Sequence, residues 1–82
     1  MGAMKYVYVL QSVGSGDHFY VGVTDDLRDR LKRHNAGQVN HTAKHLPWKL
    51  NTYIAFSDEA RAFAFERYLK SGSGRAFARR HL

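Results

Sequence analysis

Residues 5–11 (KYVYVLQ) and 18–23 (HFYVGV) decide the fold of this chain. Both runs are dense in valine and aromatic residues, which favour β-strands. The segment between them, residues 12–17, contains two glycines and two serines, a composition typical of a turn. Two strand-like runs joined by a short loop that contains glycine predict an antiparallel hairpin.

The segment after the hairpin predicts a helix over residues 27–36. Polar residues that can cap its first turn precede it, namely Thr24, Asp25 and Asp26. Acidic side chains there also suit the positive end of the helix dipole. Gly37 fits the C′ position, where a glycine commonly ends a helix.

The second half of the chain predicts a third strand and two more helices. Residues 38–47 have no clean periodicity and predict a basic loop, whereas residues 48–56 begin with the alternation of a half-buried strand. Ser57 is the predicted N-cap of a helix that ends at Leu69 or Lys70. Residues 71–74, which alternate serine and glycine, are predicted to end this helix. Residues 75–81 are predicted to form a short basic helix.

This order, β-β-α-β-α-α, predicts one small α+β domain over residues 5–82. We set residues 1–4 aside as a candidate cloning remnant, because a second methionine stands just before the first strand. A chain of 82 residues has room for one domain. No cysteine is present to form a disulfide or a thiolate zinc site. No apolar run approaches the ~18 residues of a membrane span, and no secretion signal is evident, so we expect a cytoplasmic protein with no membrane partner.

The net charge of +6 is concentrated in the second half of the chain. Residues 1–41 contain five Lys/Arg and four Asp/Glu, whereas residues 42–82 contain eight and three. Such an excess attracts polyanions and favours a nucleic-acid partner. The alternative is that the charge only keeps the protein dispersed. The cations that we expect to bind nucleic acid are Lys44, Arg67, Lys70, Arg75, Arg79 and Arg80.

Arg30 and His34 are neighbours on the first predicted helix. With Leu27 and Leu31 defining its apolar stripe at 100° per residue, both side chains fall on the border of that stripe. A guanidinium beside an imidazole can hold a phosphate and move a proton. The alternative is an arginine whose stem covers the core, with a histidine packed beside it.

Glu66 is the only acidic residue of the second helix beyond its first turn. One carboxylate can suffice for Mg²⁺, which keeps several waters and takes further ligands from substrate phosphate. The alternative is a surface ion pair with Lys70, four residues later. His41 and His45 have a spacing that can bind zinc, but without cysteine and in a predicted loop we assign them to the basic surface.

Several of these segments together resemble the GIY-YIG nuclease superfamily. Tyr6-Val7-Tyr8 and Tyr20-Val21-Gly22 are similar to its two naming signatures. Residues 24–37, Thr42 with Pro47, the strand into Tyr53, and residues 66–70 resemble the pattern of its small stand-alone bacterial members. The resemblance covers residues 5–82 and implies a three-stranded antiparallel sheet flanked by helices, with the site on one sheet face.

The resemblance also implies roles for individual residues. The family's catalytic positions correspond to Tyr8, Tyr20, Arg30, His34 and Glu66. Glu66 would hold Mg²⁺ or Mn²⁺, and Arg30 would stabilise charge on the phosphate. Tyr8 or Tyr20 would activate the water, with His34 assisting. The implied activity is a metal-dependent endonuclease that hydrolyses phosphodiester bonds in DNA, in repair or recombination, and the sequence leaves the choice between DNA and RNA open. The alternative is a nucleic-acid-binding module without catalysis.

The sequence departs from the family pattern at three kinds of position. Tyr6 replaces the glycine of the first signature, and valine replaces isoleucine in both signatures. Val23 stands where several members have a lysine. Members are usually fused to a DNA-recognition domain, so we expect a protein partner or the basic tail to supply specificity.

Overall fold

The fold is a three-stranded sheet with a helical layer on each face. The computed structural model describes residues 3–82. The elements in chain order are β1 (Lys5–Ser12), β2 (Phe19–Thr24), α1 (Leu27–Asn35), a 3-10 turn (Ala43–His45), β3 (Trp48–Phe56), α2 (Glu59–Leu69) and α3 (Gly72–His81). The predicted α+β class and the order β-β-α-β-α-α are confirmed.

The sheet order is β2-β1-β3, and both pairings are antiparallel. The hairpin therefore forms as the sequence predicts, and β2 and β3 are the edge strands. Residues along β1 point alternately to the two faces. Val7 and Val9 pack against α2, whereas Tyr8 and Leu10 pack in the layer of α1. The central strand is thus buried on both sides.

The ends of α1 agree with the sequence, with small shifts. Asp26 caps its first turn, because its carboxylate accepts a hydrogen bond from the Asp29 N–H at 3.0 Å. The helix ends at Asn35, one residue earlier than predicted, and Ala36 is the C-cap. Gly37 has a φ of +74°, a conformation that glycine adopts without strain.

Two predicted boundaries in the second half are wrong. The N-cap of α2 is Asp58 and not Ser57, because the Asp58 carboxylate accepts from the N–H groups of the first turn. The predicted stop over residues 71–74 is the beginning of α3. Ser71 is its N-cap and accepts from the Gly74 N–H at 3.1 Å. The low helix propensity of glycine is overridden there by the cap and by close packing of the two helices.

Gly74 allows α3 to begin directly against the end of α2. A Cβ at position 74 would lie 1.7 Å from the Tyr68 carbonyl oxygen, whereas a Cβ at Gly72 would meet nothing within 4 Å. We expect Gly74→Ala to lower the free energy of unfolding by about 3 kcal/mol, because a clash with backbone cannot be relieved by a rotamer change. Gly72→Ala is the matched control and should leave stability equal or slightly higher. Thermal unfolding of both variants tests this; equal melting temperatures would contradict the packing argument.

None of the helices within residues 3–82 is long and apolar enough to cross a membrane. The proposed remnant, residues 1–4, lies partly outside the described part of the chain, since the description begins at residue 3.

Candidate active site

Tyr8 and His34 form a buried hydrogen bond between the sheet and α1. Tyr8 lies in the middle of β1 on the face that carries α1, and His34 lies in the last turn of that helix. Their side chains are almost fully buried, with 2% and 1% of their surface exposed. The Tyr8 Oη and the His34 Nε2 are 2.9 Å apart. The helical periodicity predicts His34 at the border of the apolar stripe, whereas in the structure His34 lies inside the core.

Thr42 is the hydrogen-bond partner of the second ring nitrogen of His34. Its hydroxyl oxygen lies 2.8 Å from the His34 Nδ1 and 3.2 Å from the Val39 carbonyl oxygen. In the tautomer with the proton on Nδ1, that N–H donates to Thr42, and the Nε2 is the acceptor for the Tyr8 hydroxyl. The hydrogen bonds therefore form a continuous chain from Tyr8 through His34 and Thr42 to the backbone.

The loop that carries Thr42 is held in place by β3. The Trp48 indole N–H donates to the Thr42 carbonyl at 2.7 Å. The Asn35 side chain bonds both backbone groups of Trp48, accepting from its N–H at 2.6 Å and donating to its carbonyl at 3.0 Å. These bonds tie the end of α1 to the beginning of β3. Thr42 is therefore a rigid partner for His34 although it precedes the 3-10 turn.

The environment shifts the pKa values of both members of the Tyr8–His34 pair. Burial raises the pKa of Tyr8 to about 12, and electrostatic repulsion from Tyr20 raises this pKa further. The Arg30 guanidinium opposes the rise. Burial lowers the pKa of His34, and the nearby Arg30 charge lowers it further. At neutral pH the pair therefore consists of a protonated phenol and a neutral imidazole. His34 can accept a proton from Tyr8.

Tyr20 and Gly22 of β2 complete this part of the site. The Tyr20 ring lies 4.9 Å from the His34 ring and 6.3 Å from the Tyr8 ring, between centroids. Gly22 pairs with Tyr8 across the strands, and a Cβ there would lie 2.4 Å from the Tyr8 hydroxyl oxygen. The phenol therefore lies directly over Gly22. A glycine is required at this position because any side chain would displace the Tyr8 hydroxyl.

Arg30 is half-buried one turn before His34, and its charge reaches both Tyr8 and His34. Within residues 3–82, no carboxylate lies within 4.0 Å of its guanidinium. By contrast, Arg33 on the same helix pairs with Asp29 at 2.8 Å. The donors of Arg30 are consequently available to an anion.

Glu66 reaches the site from the opposite layer of the fold. It belongs to α2, which packs on the face of Val7 and Val9, yet its charge contributes to the raised pKa of Tyr8. Its side chain is 15% exposed and pairs with Lys70, as the alternative reading predicts. The Lys70 Nζ in turn lies 6.0 Å from the centroid of the Tyr20 ring. The resemblance implies a site on one sheet face. In the structure, the candidate site instead extends around the β2 edge to the other face.

The structure brings together Tyr8, Tyr20, Arg30 and His34, and the charge of Glu66 acts on Tyr8 from the other layer. The predicted cations are separated. Lys70, Arg75 and Arg79 line one groove, whereas Lys44, Arg67 and Arg80 do not. Three further residues support the site and have no role predicted from the sequence, namely Asn35, Thr42 and Trp48. The sequence signal of Thr42 is a single hydroxyl in an irregular loop.

The candidate zinc pair does not converge on a metal position. His41 is exposed, and the His45 ring stacks on His18 with centroids 3.9 Å apart. No group of three or more histidine or acidic side chains that could hold a metal ion occurs among residues 3–82.

Comparison with known proteins supplies the family. The model of the GIY-YIG catalytic domain matches residues 4–80. The chain belongs to the GIY-YIG family. Among curated proteins of this kind, a UPF0213 protein of Lacticaseibacillus paracasei is 39% identical over 66 residues, which are 79% of this chain and 72% of that protein. A UPF0213 protein of Streptococcus pneumoniae is 36% identical over 71 residues, 85% of this chain and 70% of that protein.

A solved structure agrees with this family and with the fold. The solution NMR structure of the UPF0213 protein BH0048 from Bacillus halodurans is 30% identical to this chain and superposes with a TM-score of 0.56. The match covers 93% of this chain and 80% of that one. This GIY-YIG domain is thus similar to small proteins of the UPF0213 group, as the sequence resemblance to small stand-alone members indicates.

Proposed function

We propose that this GIY-YIG protein is a divalent-metal-dependent endonuclease that hydrolyses phosphodiester bonds in DNA. The observation that carries the proposal is the buried hydrogen-bond chain from Tyr8 to His34 and Thr42, beside the Arg30 guanidinium, which has no carboxylate partner within residues 3–82. A chain of this kind provides a proton acceptor and an anion-binding group in one place. We further propose that the protein acts in the cytoplasm on DNA undergoing repair or recombination; RNA is tested below as a second substrate class.

Tyr8 is the general base of the proposed reaction. Its oxygen takes a proton from the attacking water while its own proton passes to the His34 Nε2, to which it already donates. His34 becomes an imidazolium, which is stabilised because its Nδ1–H donates to Thr42. This route avoids a free phenolate, which the pKa of about 12 makes rare at neutral pH. Tyr20 lies beside both rings and shapes the water position.

Arg30 binds the scissile phosphate and stabilises the charge that develops on it. Guanidinium groups suit phosphate because they donate two parallel hydrogen bonds. Since Arg30 lacks a carboxylate partner within residues 3–82, no ion pair has to be broken first. Removal of one such donor typically costs about 10²–10³ in rate.

The residues at the site fit a magnesium or manganese ion. Glu66 offers a partly shielded carboxylate whose charge is felt at Tyr8. Mg²⁺ is commonly held by one or two carboxylates together with water and substrate phosphate, so a lone glutamate is sufficient. When bound, the ion would polarise the phosphate and stabilise the leaving oxygen as a Lewis acid. Glu66 would hold it.

Metal removal tests the proposed function directly. We expect the wild-type protein to nick supercoiled plasmid or to cut single-stranded or branched DNA in Mg²⁺ or Mn²⁺, and to lose this activity in excess EDTA. Activity should return when the metal is restored. Parallel RNA substrates test the second substrate class. Cleavage that EDTA leaves unchanged, or no cleavage of any substrate in either metal, would contradict the proposal.

The pH dependence of cleavage distinguishes the proton route. Because the pKa of His34 lies below its ordinary value of 6.5, His34 is neutral at pH 7 and is protonated only as the pH falls further. The single-turnover rate should therefore be nearly constant from pH 7 to 9 and fall only at pH values below 6.5. A route through free Tyr8 phenolate predicts a different profile, with about a tenfold rise per pH unit across that range. Such a rise would contradict the role of His34.

A binding module without catalysis is the second candidate. The cations of α3 would suffice for it, but the buried Tyr8–His34–Thr42 hydrogen-bond chain favours the nuclease. A module that only binds a polyanion has no need of a proton acceptor beside its anion-binding group. In the binding candidate, nucleic-acid affinity with a steep salt dependence would remain while no metal restores cleavage.

A further inference from the structure

A groove adjoins the candidate active site on the far side of the β2 edge. Its volume is about 990 Å³, and it lies between β2 and the helices α2 and α3. Its floor is apolar and is formed in part by Val9, Val21 and Leu69. Tyr20 belongs to the candidate active site and also lines the groove. Lys70 lines the groove too, and its Nζ lies 6.0 Å from the centroid of the Tyr20 ring, so the two regions are continuous.

The rim of this groove is cationic. Lys70, Arg75 and Arg79 line it, and the two arginines are one helical turn apart on the same side of α3. Asp17 is the one acidic side chain among the lining residues, and its Oδ1 lies 4.0 Å from the His18 Nε2. The groove therefore combines an apolar floor with a surplus of positive charge, which complements a ligand that has apolar faces and a chain of negative charges.

Phe19 is an exposed aromatic side chain in the wall of the groove. It begins β2 and shares a face with Val21, and 53% of its surface is exposed. An exposed phenylalanine costs solvation free energy in the free protein. Aromatic side chains of this kind bind unpaired nucleic-acid bases by stacking.

We propose that the groove binds a single-stranded segment of the DNA substrate that adjoins the scissile phosphate. Bases lie on the apolar floor and stack on Phe19, while the phosphates contact Lys70, Arg75 and Arg79. This inference rests on the proposed nuclease function and specifies its substrate. In a duplex the base faces are stacked within the helix, so an apolar floor and a free phenyl ring gain nothing from it. An unpaired flank uses both features.

The cationic rim is tested by binding without catalysis. A labelled oligothymidylate and a DNA hairpin of equal charge are titrated in EDTA with wild type, with Arg75→Gln/Arg79→Gln, and with the charge-matched control Arg67→Gln/Arg80→Gln. We expect the groove variant to bind the single strand on the order of tenfold more weakly and the salt slope to fall by about 1.4. The control variant should change both quantities much less.

The stacking role of Phe19 is tested with Phe19→Leu and the conservative Phe19→Tyr. We expect Phe19→Leu to weaken binding of the single strand by about fivefold to a hundredfold and to leave hairpin binding unchanged. Phe19→Tyr should bind as wild type does. Phe63→Leu, an exposed phenylalanine of α2 outside the groove, is the control.

The outcomes separate this proposal from the nuclease function. Equal losses in the two charge variants, or a Phe19→Leu variant that binds the single strand as wild type does, would overturn the groove assignment even if the enzyme cuts DNA. Selective losses in the groove variants would support it even if no cleavage is found. Tighter wild-type binding to the hairpin than to the single strand would also overturn it.

Discussion

Tyr8→Phe is expected to lower the rate of DNA cleavage by about 10²–10⁴-fold while leaving DNA affinity near the wild-type value. The variant keeps the ring that packs over Gly22 and removes only the hydroxyl that donates to His34. The loss is the usual contribution of a general base. Single-turnover cleavage in Mg²⁺, together with binding in EDTA, measures the two quantities separately.

Tyr6→Phe is the matched control for this variant. It makes the same chemical change two residues away on the same face of β1, where the Tyr6 ring packs edge-on against Tyr53 at 5.8 Å. Tyr8→Phe leaves the His34 Nε2 without its donor and should cost about 1–3 kcal/mol of stability. Folding is therefore verified by circular dichroism at the assay temperature. Equal cleavage by the two variants would exclude Tyr8 as the base.

Glu66→Gln is expected to lower cleavage by about 10³-fold or more at saturating substrate. The change keeps the size of the side chain and removes the charge that we assign to the metal, whose contribution to such reactions is several kcal/mol. Loss of the ion pair with Lys70 should change stability by less than about 1 kcal/mol. Cleavage rates over a range of Mg²⁺ and Mn²⁺ concentrations provide the measurement.

Glu59→Gln controls for the change of net charge. Glu59 lies at the beginning of the same helix, is exposed, and pairs with Lys5 at 3.1 Å. Its replacement should leave cleavage and metal dependence unchanged. If both glutamine variants retain wild-type cleavage, Glu66 serves only as a partner of Lys70, and the metal assignment fails.

The sequence predicts the strands and the element order because their signals are local. The valine and aromatic composition of residues 5–11 and 18–23, the turn between them and the Asp26 cap each act within a few residues. The prediction fails at residues 71–74, where two glycines suggest a break. There the outcome depends on a tertiary contact, the approach of Gly74 to the Tyr68 carbonyl, which propensity does not contain.

The candidate site is predictable in its members and not in its connections. Helical periodicity places Arg30 and His34 on one border, and the resemblance adds the tyrosines and Glu66. That His34 is a buried link between Tyr8 and Thr42 depends on an irregular loop. The Thr42 hydroxyl also lies 3.2 Å from the Val39 carbonyl oxygen, and no periodic pattern marks either group.

The division of the site between the two layers has a thermodynamic consequence. Tyr8, Arg30 and His34 belong to the α1 layer, whereas Glu66 arrives with α2 from the other side of the sheet. A ligand that contacts both groups must stabilise the docking of α2 by the free energy of those contacts. Substrate and folding are thereby linked: the helix that carries Glu66 becomes resistant to local opening when the substrate is bound.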